Sequence, residues 1–259
     1  MALPRGYISH SQIRAYRECP KKYEYAYVDG IQPPINDKVF LGEIFHAAIE
    51  HYFKERISGA PPGAEATEAF FCQAFEAAAP SREISWKASR LETRDRGLAF
   101  LRCFLQHVAP GARPLMVEKE LSAELPGSGV LLKGVLDLIE EDYCITDFKT
   151  TTGRWSASRV RNSPQMIIYK YLFDRSFGPV AAGMRYEIFY GKKAGNVRHQ
   201  SLPVIAAATA VDDLLAMIGL VVEKIVAGEF PPRITAFCRY CEFRRLCREQ
   251  SPAPRIAKS

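Results

Sequence analysis

The chain has 259 residues, 47% of them hydrophobic and 25% charged, with a net charge of +6. This composition excludes a disordered, collagen-like or disulfide-rich secreted chain, and the modest positive balance suits a polyanionic partner without requiring one. No apolar run approaches the ~20 residues of a membrane helix; the nearest, residues 204–226, is broken by Asp212, Asp213, Glu223 and Lys224. No apolar core follows Arg5, so neither a secretory signal nor membrane association is expected, and the cytoplasm is the expected location.

In chain order, a first helix is predicted with Ser9 or Ser11 as its cap and Pro20 as its end. A second, over residues 39–57, carries Leu41, Ile44, Phe45, Ala48, Ile49, Tyr52 and Phe53 at helical spacing, and Gly59 closes it. After Pro61-Pro62-Gly63, residues 64–79 and 83–108 read as two further helices divided by Pro80. Together, residues 58–112 form a helical insertion or cap on the core. Strands follow over residues 115–125, 130–139 and 143–150, joined by turns short enough for hairpins. A helix over 157–177, strands over 181–190 and 197–202, and an amphipathic helix over 205–229 complete the pattern before Pro231-Pro232 leads into a cysteine segment. Helix, three strands, helix, strand is the order of an α/β core with a mixed sheet.

The most informative stretch is Gly134-Val-Leu-Asp137 followed by Thr146-Asp147-Phe-Lys149-Thr150. Strand side chains alternate faces, so Asp147 and Lys149 point the same way. A carboxylate beside an ammonium, with a second carboxylate one strand away, suits a hard divalent cation and phosphodiester hydrolysis. An ordinary salt bridge on a hairpin is the bland alternative. His46 shares a helix face with Gly42, whose missing side chain is expected to admit another backbone closely. Glu118 and Glu120 share a face of the preceding strand; surface glutamates of an edge strand are the first reading, and support of the site by either is the alternative. Gln165 and Tyr169 lie one helical turn apart, behind Arg154, Arg159 and Arg161.

Seven cysteines in an intracellular chain argue against a disulfide framework. Cys238, Cys241 and Cys247 form C-x2-C-x5-C, and Cys19 lies near the other end of the chain. Spacing alone leaves zinc and an iron–sulfur cluster open, because both accept four thiolates. Cys72, Cys103 and Cys144 sit in apolar surroundings and read as core residues.

The ordered set Ser9-His-Ser-Gln-Ile13, Tyr16-Arg-Glu-Cys19-Pro-Lys-Lys-Tyr23, Gly42-Glu-Ile-Phe-His46, the hairpin, Gln165-Met-Ile-Ile-Tyr169 and the cysteine trio resembles the RecB-like branch of the PD-(D/E)xK nuclease superfamily. More narrowly, it resembles members with a four-cysteine iron–sulfur cluster, such as the AddB nuclease domain and the CRISPR-adaptation exonuclease; residues 54–115 match no motif. The resemblance implies a single nuclease domain over residues 1–259 with a restriction-endonuclease-like α/β core, a mixed central sheet flanked by helices, and a cluster segment at residues 236–249 joined by Cys19. It implies that Asp137, Asp147 and Lys149 are catalytic, and that His46, Asp137, Asp147 and the Phe148 carbonyl hold Mg²⁺ or Mn²⁺. Cys19, Cys238, Cys241 and Cys247 would hold a [4Fe–4S] cluster, favoured over zinc by family pattern, and Gln165, Tyr169, Arg159 and Arg161 would contact DNA. The implied function is an exonuclease on single-stranded or frayed DNA ends, with protein partners in repair, recombination or CRISPR adaptation. The competing function is a non-catalytic DNA-binding module whose cluster is structural or redox-sensing.

Overall fold

The computed structural model describes residues 2–178, 181 and 183–250. Tyr7–Ser9 forms β1 and leads straight into α1, His10–Glu18. Ser9 is the cap, its side chain accepting from the Gln12 amide. α1 ends before Pro20, as expected: Cys19 is extended, and Pro20 opens a separate short helix α2, Pro20–Tyr23, followed by a wider π turn at Glu24–Val28. Ile35–Asn36 is β2, and the Asn36 side chain caps α3, Asp37–Ile57. Ala64–Ala78 is α4, Ile84–Ser85 is β3 and Arg90–His107 is α5. Then come β4 (Pro114–Glu124), β5 (Leu131–Glu140) and β6 (Cys144–Thr151). Ala157–Val160 is α6, Pro164–Phe177 is α7, Gly183–Tyr190 is β7, Arg198–Pro203 is β8 and Ala210–Val226 is α8. A 3₁₀ turn at Ala236–Tyr240 and α9, Arg244–Gln250, close the described chain.

The central sheet is mixed. β4 pairs antiparallel with β5 along nearly its whole length. The other edge of β5 is shared: β1 pairs parallel with its start at Leu131, Leu132 and Lys133, and β6 pairs antiparallel with its end at Leu138 and Ile139. Beyond those two pairs β6 leaves β5 and runs parallel to β7 from Cys144 to Thr151, and β8 lies antiparallel outside β7. Helices pack on both faces. One core gathers Ile13, Tyr16, Leu132, Leu136, Ile168, Leu172, Ile188 and Ile218; the other gathers Phe45, Phe53, Phe71, Phe75, Phe104, Phe148 and Phe189. No helix among the described residues is long and apolar enough to cross a membrane.

The structure departs from the sequence expectations at local signals that compete with periodicity. The helix expected over residues 83–108 starts only at Arg90, because Ser89 and Glu92 form a reciprocal capping box. The preceding Ile84–Ser85 pairs parallel with Ile35–Asn36 instead. The helix expected over 157–177 breaks between Val160 and Pro164, where Asn162 adopts a φ of 52° and Pro164 restarts the helix in its first turn. The expected 205–229 helix is confined to Ala210–Val226. Of the strand expected over 181–190, residue 182 lies outside the described residues and Gly183–Tyr190 is extended.

The expected insertion helices α4 and α5 are welded to α3 through aromatic side chains, and Gly97 of α5 sits directly against Phe71 and Leu41. A Cβ there would overlap both neighbours. Gly97→Ala is therefore expected to lower unfolding stability by about 1–3 kcal/mol through overpacking, despite the better helix propensity of alanine. Urea denaturation monitored by circular dichroism checks it; a stabilised variant would mean that this packing is loose.

Candidate active site

The site lies where β5 and β6 part. Asp137 is the last β5 residue before the two-pair ladder, and its Oδ2 accepts from the Phe148 amide at 2.8 Å. The carboxylate thus takes a backbone donor that strand pairing has released, and this fixes its position. Asp147 and Lys149 share a face of β6, as alternation requires, with the ammonium 2.6 Å from Asp147 Oδ2. That short contact is a buried ion pair in which the ammonium serves the fully buried Oδ2. Asp147 Oδ1 accepts from the Gln165 amide at 2.9 Å, and the same nitrogen donates to the Tyr169 hydroxyl at 2.8 Å.

α3 brings His46 to the same point. Its Nδ1 lies 3.4 Å from Asp137 Oδ2, and the ring is hydrogen-bonded to the Phe148 backbone. Burial, then the Lys149 charge, lowers the imidazole pKa, so the contact with Asp137 is one of a neutral ring. Gly42 is not the close-approach point expected: a Cβ there would meet only Thr150 Oγ1 at 3.5 Å, an ordinary contact.

Of the two β4 glutamates, Glu118 is the one that approaches the site. Val117 pairs with Leu138 and Lys119 with Leu136, so Glu118 stands opposite Asp137 across the β4–β5 ladder. It holds a φ of 45°, a left-handed conformation costly for a non-glycine residue within a strand. Its carboxylate, His46 and Asp137 offer ligand atoms within 4.8 Å of one another. Glu120 stays exposed and pairs with Lys133 at 3.1 Å. Alternation placed Glu118 and Glu120 together; the backbone outlier separates them.

The electrostatics suit a divalent cation. Burial, then the Asp137 charge, pushes Glu118 up to about 8; burial raises Asp147 to about 7 and Asp137 to about 6, the nearby Lys149 opposing both shifts. For Lys149, burial acts downward, but Asp147 and Asp137 outweigh it and the net shift is upward. The lysine is therefore a standing cation. Three carboxylates raised by burial beside one ammonium form an oxygen-rich, excess-negative donor set suited to a hard divalent ion; Glu118 and Asp137 share it most closely with neutral His46, which adds a nitrogen.

Gln165 and Tyr169 line a cleft of about 270 Å³ with Tyr7, Ser9, His10 and Lys133. Arg159 and Arg161 are exposed and do not line it. The Arg159 guanidinium stacks 4.0 Å over Trp155, Trp155 meets the Tyr186 ring edge-on at 5.4 Å, and the Lys149 ammonium lies 5.8 Å over Tyr186. Two aromatic rings thus separate Arg159 from Lys149.

Chain ends meet away from this site. Lys22 pairs with Glu242 at 2.9 Å, the Tyr25 hydroxyl donates to Gln250 at 2.9 Å, and the Tyr25 and Phe243 rings pack at 5.5 Å. Cys19 accepts from the Arg233 amide and Cys238 from the Thr235 amide, both at 3.3 Å. Burial raises the Cys241 thiol pKa, with Cys19 near enough to add to the shift. Cys247 is half-buried on α9.

Fold and site together define a restriction-endonuclease-like hydrolase. The family model described as "PD-(D/E)XK nuclease superfamily" matches residues 7–248. This chain belongs to that superfamily of nucleases, which use divalent metals. No curated protein matches it. Among solved structures, it is similar to a proposed exonuclease from Eubacterium rectale, with 11% identity, a TM-score of 0.55, and coverage of 96% of this chain and 94% of that one. The structure of SSO0001 aligns with 16% identity, a TM-score of 0.40, and coverage of 91% of this chain and 97% of that one.

The raised carboxylates give a signed pH dependence. In the folded, metal-free protein Glu118 keeps a proton that the unfolded chain gives up near the ordinary glutamate value, so folding stability falls as pH rises through about 8. The melting temperature of wild type, relative to Glu118→Gln, is expected to fall between about pH 6 and pH 8.5. Adding Mg²⁺ or Mn²⁺ is expected to restore it more at the higher pH, where the ligands are ionised. Thermal melts across pH, with and without metal, check both; parallel curves would remove Glu118 from the site.

Proposed function

We propose that this chain is a metal-dependent deoxyribonuclease that trims single-stranded or frayed DNA ends. The observation that carries the reading is the convergence of Asp137, Asp147, Lys149 and His46 where β5 and β6 part, on a fold whose family hydrolyses phosphodiesters. The exonuclease assignment draws on the name of the Eubacterium rectale neighbour and on the sequence resemblance. Its setting would be DNA repair, recombination or CRISPR adaptation, with protein partners from the same assembly.

Asp137, Asp147, Glu118 and His46, with the Phe148 carbonyl, would hold Mg²⁺ or Mn²⁺. When bound, the ion polarises the scissile phosphate and makes water a competent nucleophile. Lys149, a permanent cation beside Asp147, offsets the charge that grows on the phosphate oxygens in the transition state. Gln165 holds one Asp147 oxygen and is itself tied to Tyr169, so the pair orients the carboxylate and lines the strand's cleft. Exposed Arg159 and Arg161 would serve as phosphate contacts.

Cys19, Cys238, Cys241 and Cys247 would hold a [4Fe–4S] cluster with a structural role. Backbone amides directed at Cys19 and Cys238 sulfur suit thiolate ligands, and the adjoining Lys22–Glu242 and Tyr25–Phe243 contacts bring the two ends of the chain together.

End-labelled linear DNA incubated with Mg²⁺ or Mn²⁺ should be degraded, whereas circular single strands should resist. Asp147→Ala and Lys149→Ala should each slow cleavage by about a hundredfold or more while the protein stays folded. Undiminished cleavage by both variants would refute the site; digestion of circles would refute the end requirement. Protein purified without oxygen should be brown and contain iron, and Cys247→Ser should lose the iron and melt at lower temperature. Stoichiometric zinc instead would overturn the cluster assignment.

A further inference from the structure

A separate pocket of about 140 Å³ opens on the α3–α5 side of the sheet. Lys38 from the first turn of α3, Arg96 from α5, and Thr150, Thr151 and Thr152, immediately beyond Lys149, line it. No carboxylate among the described residues does so.

Arg96 is the telling residue. It is 7% exposed, and its guanidinium carries five N–H donors. Its ion pair with buried Asp37 is a loose one at 3.9 Å, and its guanidinium makes no hydrogen bond among the described residues. Asp37 accepts from the Ala88 amide at 3.4 Å and leaves its other oxygen without a partner, so it anchors Arg96 without saturating it. A planar, buried and under-used fork beside a lysine and three threonines is built for a tetrahedral oxyanion. The first α3 amides are already taken by the Asn36 side chain, so side chains make this site.

We propose that this pocket binds a second phosphate of the DNA strand being cut, either a terminal phosphate or an internal one. The identity of the ligand rests on the nuclease reading above; the oxyanion chemistry does not. Thr150 adjoins Lys149 in sequence, and Lys38 precedes His46 on α3 by about 12 Å of helix rise. That separation is short enough for a few consecutive nucleotides of one strand to span both sites. The α5 helix thereby supplies a strand-positioning residue, and a terminal phosphate held there would set the length of the released product.

Binding in EDTA tests this without hydrolysis. Fluorescence anisotropy would compare single-stranded oligonucleotides bearing a 5′-phosphate, a 3′-phosphate or hydroxyls at both ends. Lys38→Gln, at an exposed position, and Thr152→Val avoid the packing risk of Arg96→Gln; melting temperatures verify that each variant folds. Lys38→Gln is expected to weaken binding about tenfold and to reduce the slope of log K against log salt by about one. A loss confined to one phosphorylated oligonucleotide assigns the pocket to that terminus; equal losses assign it to an internal phosphate. Wild-type affinity and salt slope in both folded variants would overturn the proposal. Normal binding by those variants in an active nuclease sinks the pocket alone, whereas lost binding in a protein without nuclease activity sinks the nuclease reading alone.

Discussion

The site depends on a broken ladder. β5 and β6 pair at Leu138–Thr146 and Ile139–Ile145 and then separate, freeing the Phe148 amide. Asp137 accepts that amide, so a side chain does for the parted strands what the backbone does elsewhere in the sheet. The separation lets groups from both faces meet: Gln165 and Tyr169 approach Asp147 from α7, while His46 approaches Asp137 from α3. Regular pairing would have kept those groups on opposite sides of a closed sheet.

The buried charges then need one another. Asp137 and Asp147 both sit at 8% exposure or less, and desolvation alone would neutralise them. Lys149 holds them part of the way toward ionisation and is kept charged in return. The left-handed Glu118 adds a third acid at a backbone cost of order 1–3 kcal/mol, and its approach raises the demand for positive charge. Such an arrangement is poor design for stability and good design for capturing a dication, since the binding energy relieves a repulsion already present.

Polar side chains open a cavity on each face of the sheet. On the α7 face, Gln165, Tyr169 and the Tyr7–His10 segment form the cleft beside Asp147. On the α3–α5 face, Lys38, Arg96 and the three threonines form the basic pocket. β6 joins them, placing Asp147 and Lys149 toward one and Thr150 at the edge of the other. The aromatic weld of α3, α4 and α5 keeps Arg96 in register with His46, because both helices pack on Leu41, Phe45, Phe100 and Phe104.

Short-range rules made much of this chain legible. Alternation put Asp147 and Lys149 on one face, the 3.6-residue repeat marked the buried face of α3, and Ser9 marked the start of α1. The cysteine trio and the distant Cys19 marked segments that do lie side by side. Wherever the reading slipped, a local signal competed with periodicity, as at the Ser89–Glu92 box and at Asn162-Ser-Pro164. Sequence determined which residues carry charge and which neighbours share a face, because those follow from geometry repeated every two or four residues. Only the tertiary structure decided that Glu118 turns inward, that Gln165 grips Asp147, and that Arg96 reaches a pocket beside Thr150. Each of those depends on a contact between elements distant in the chain, which no local periodicity encodes.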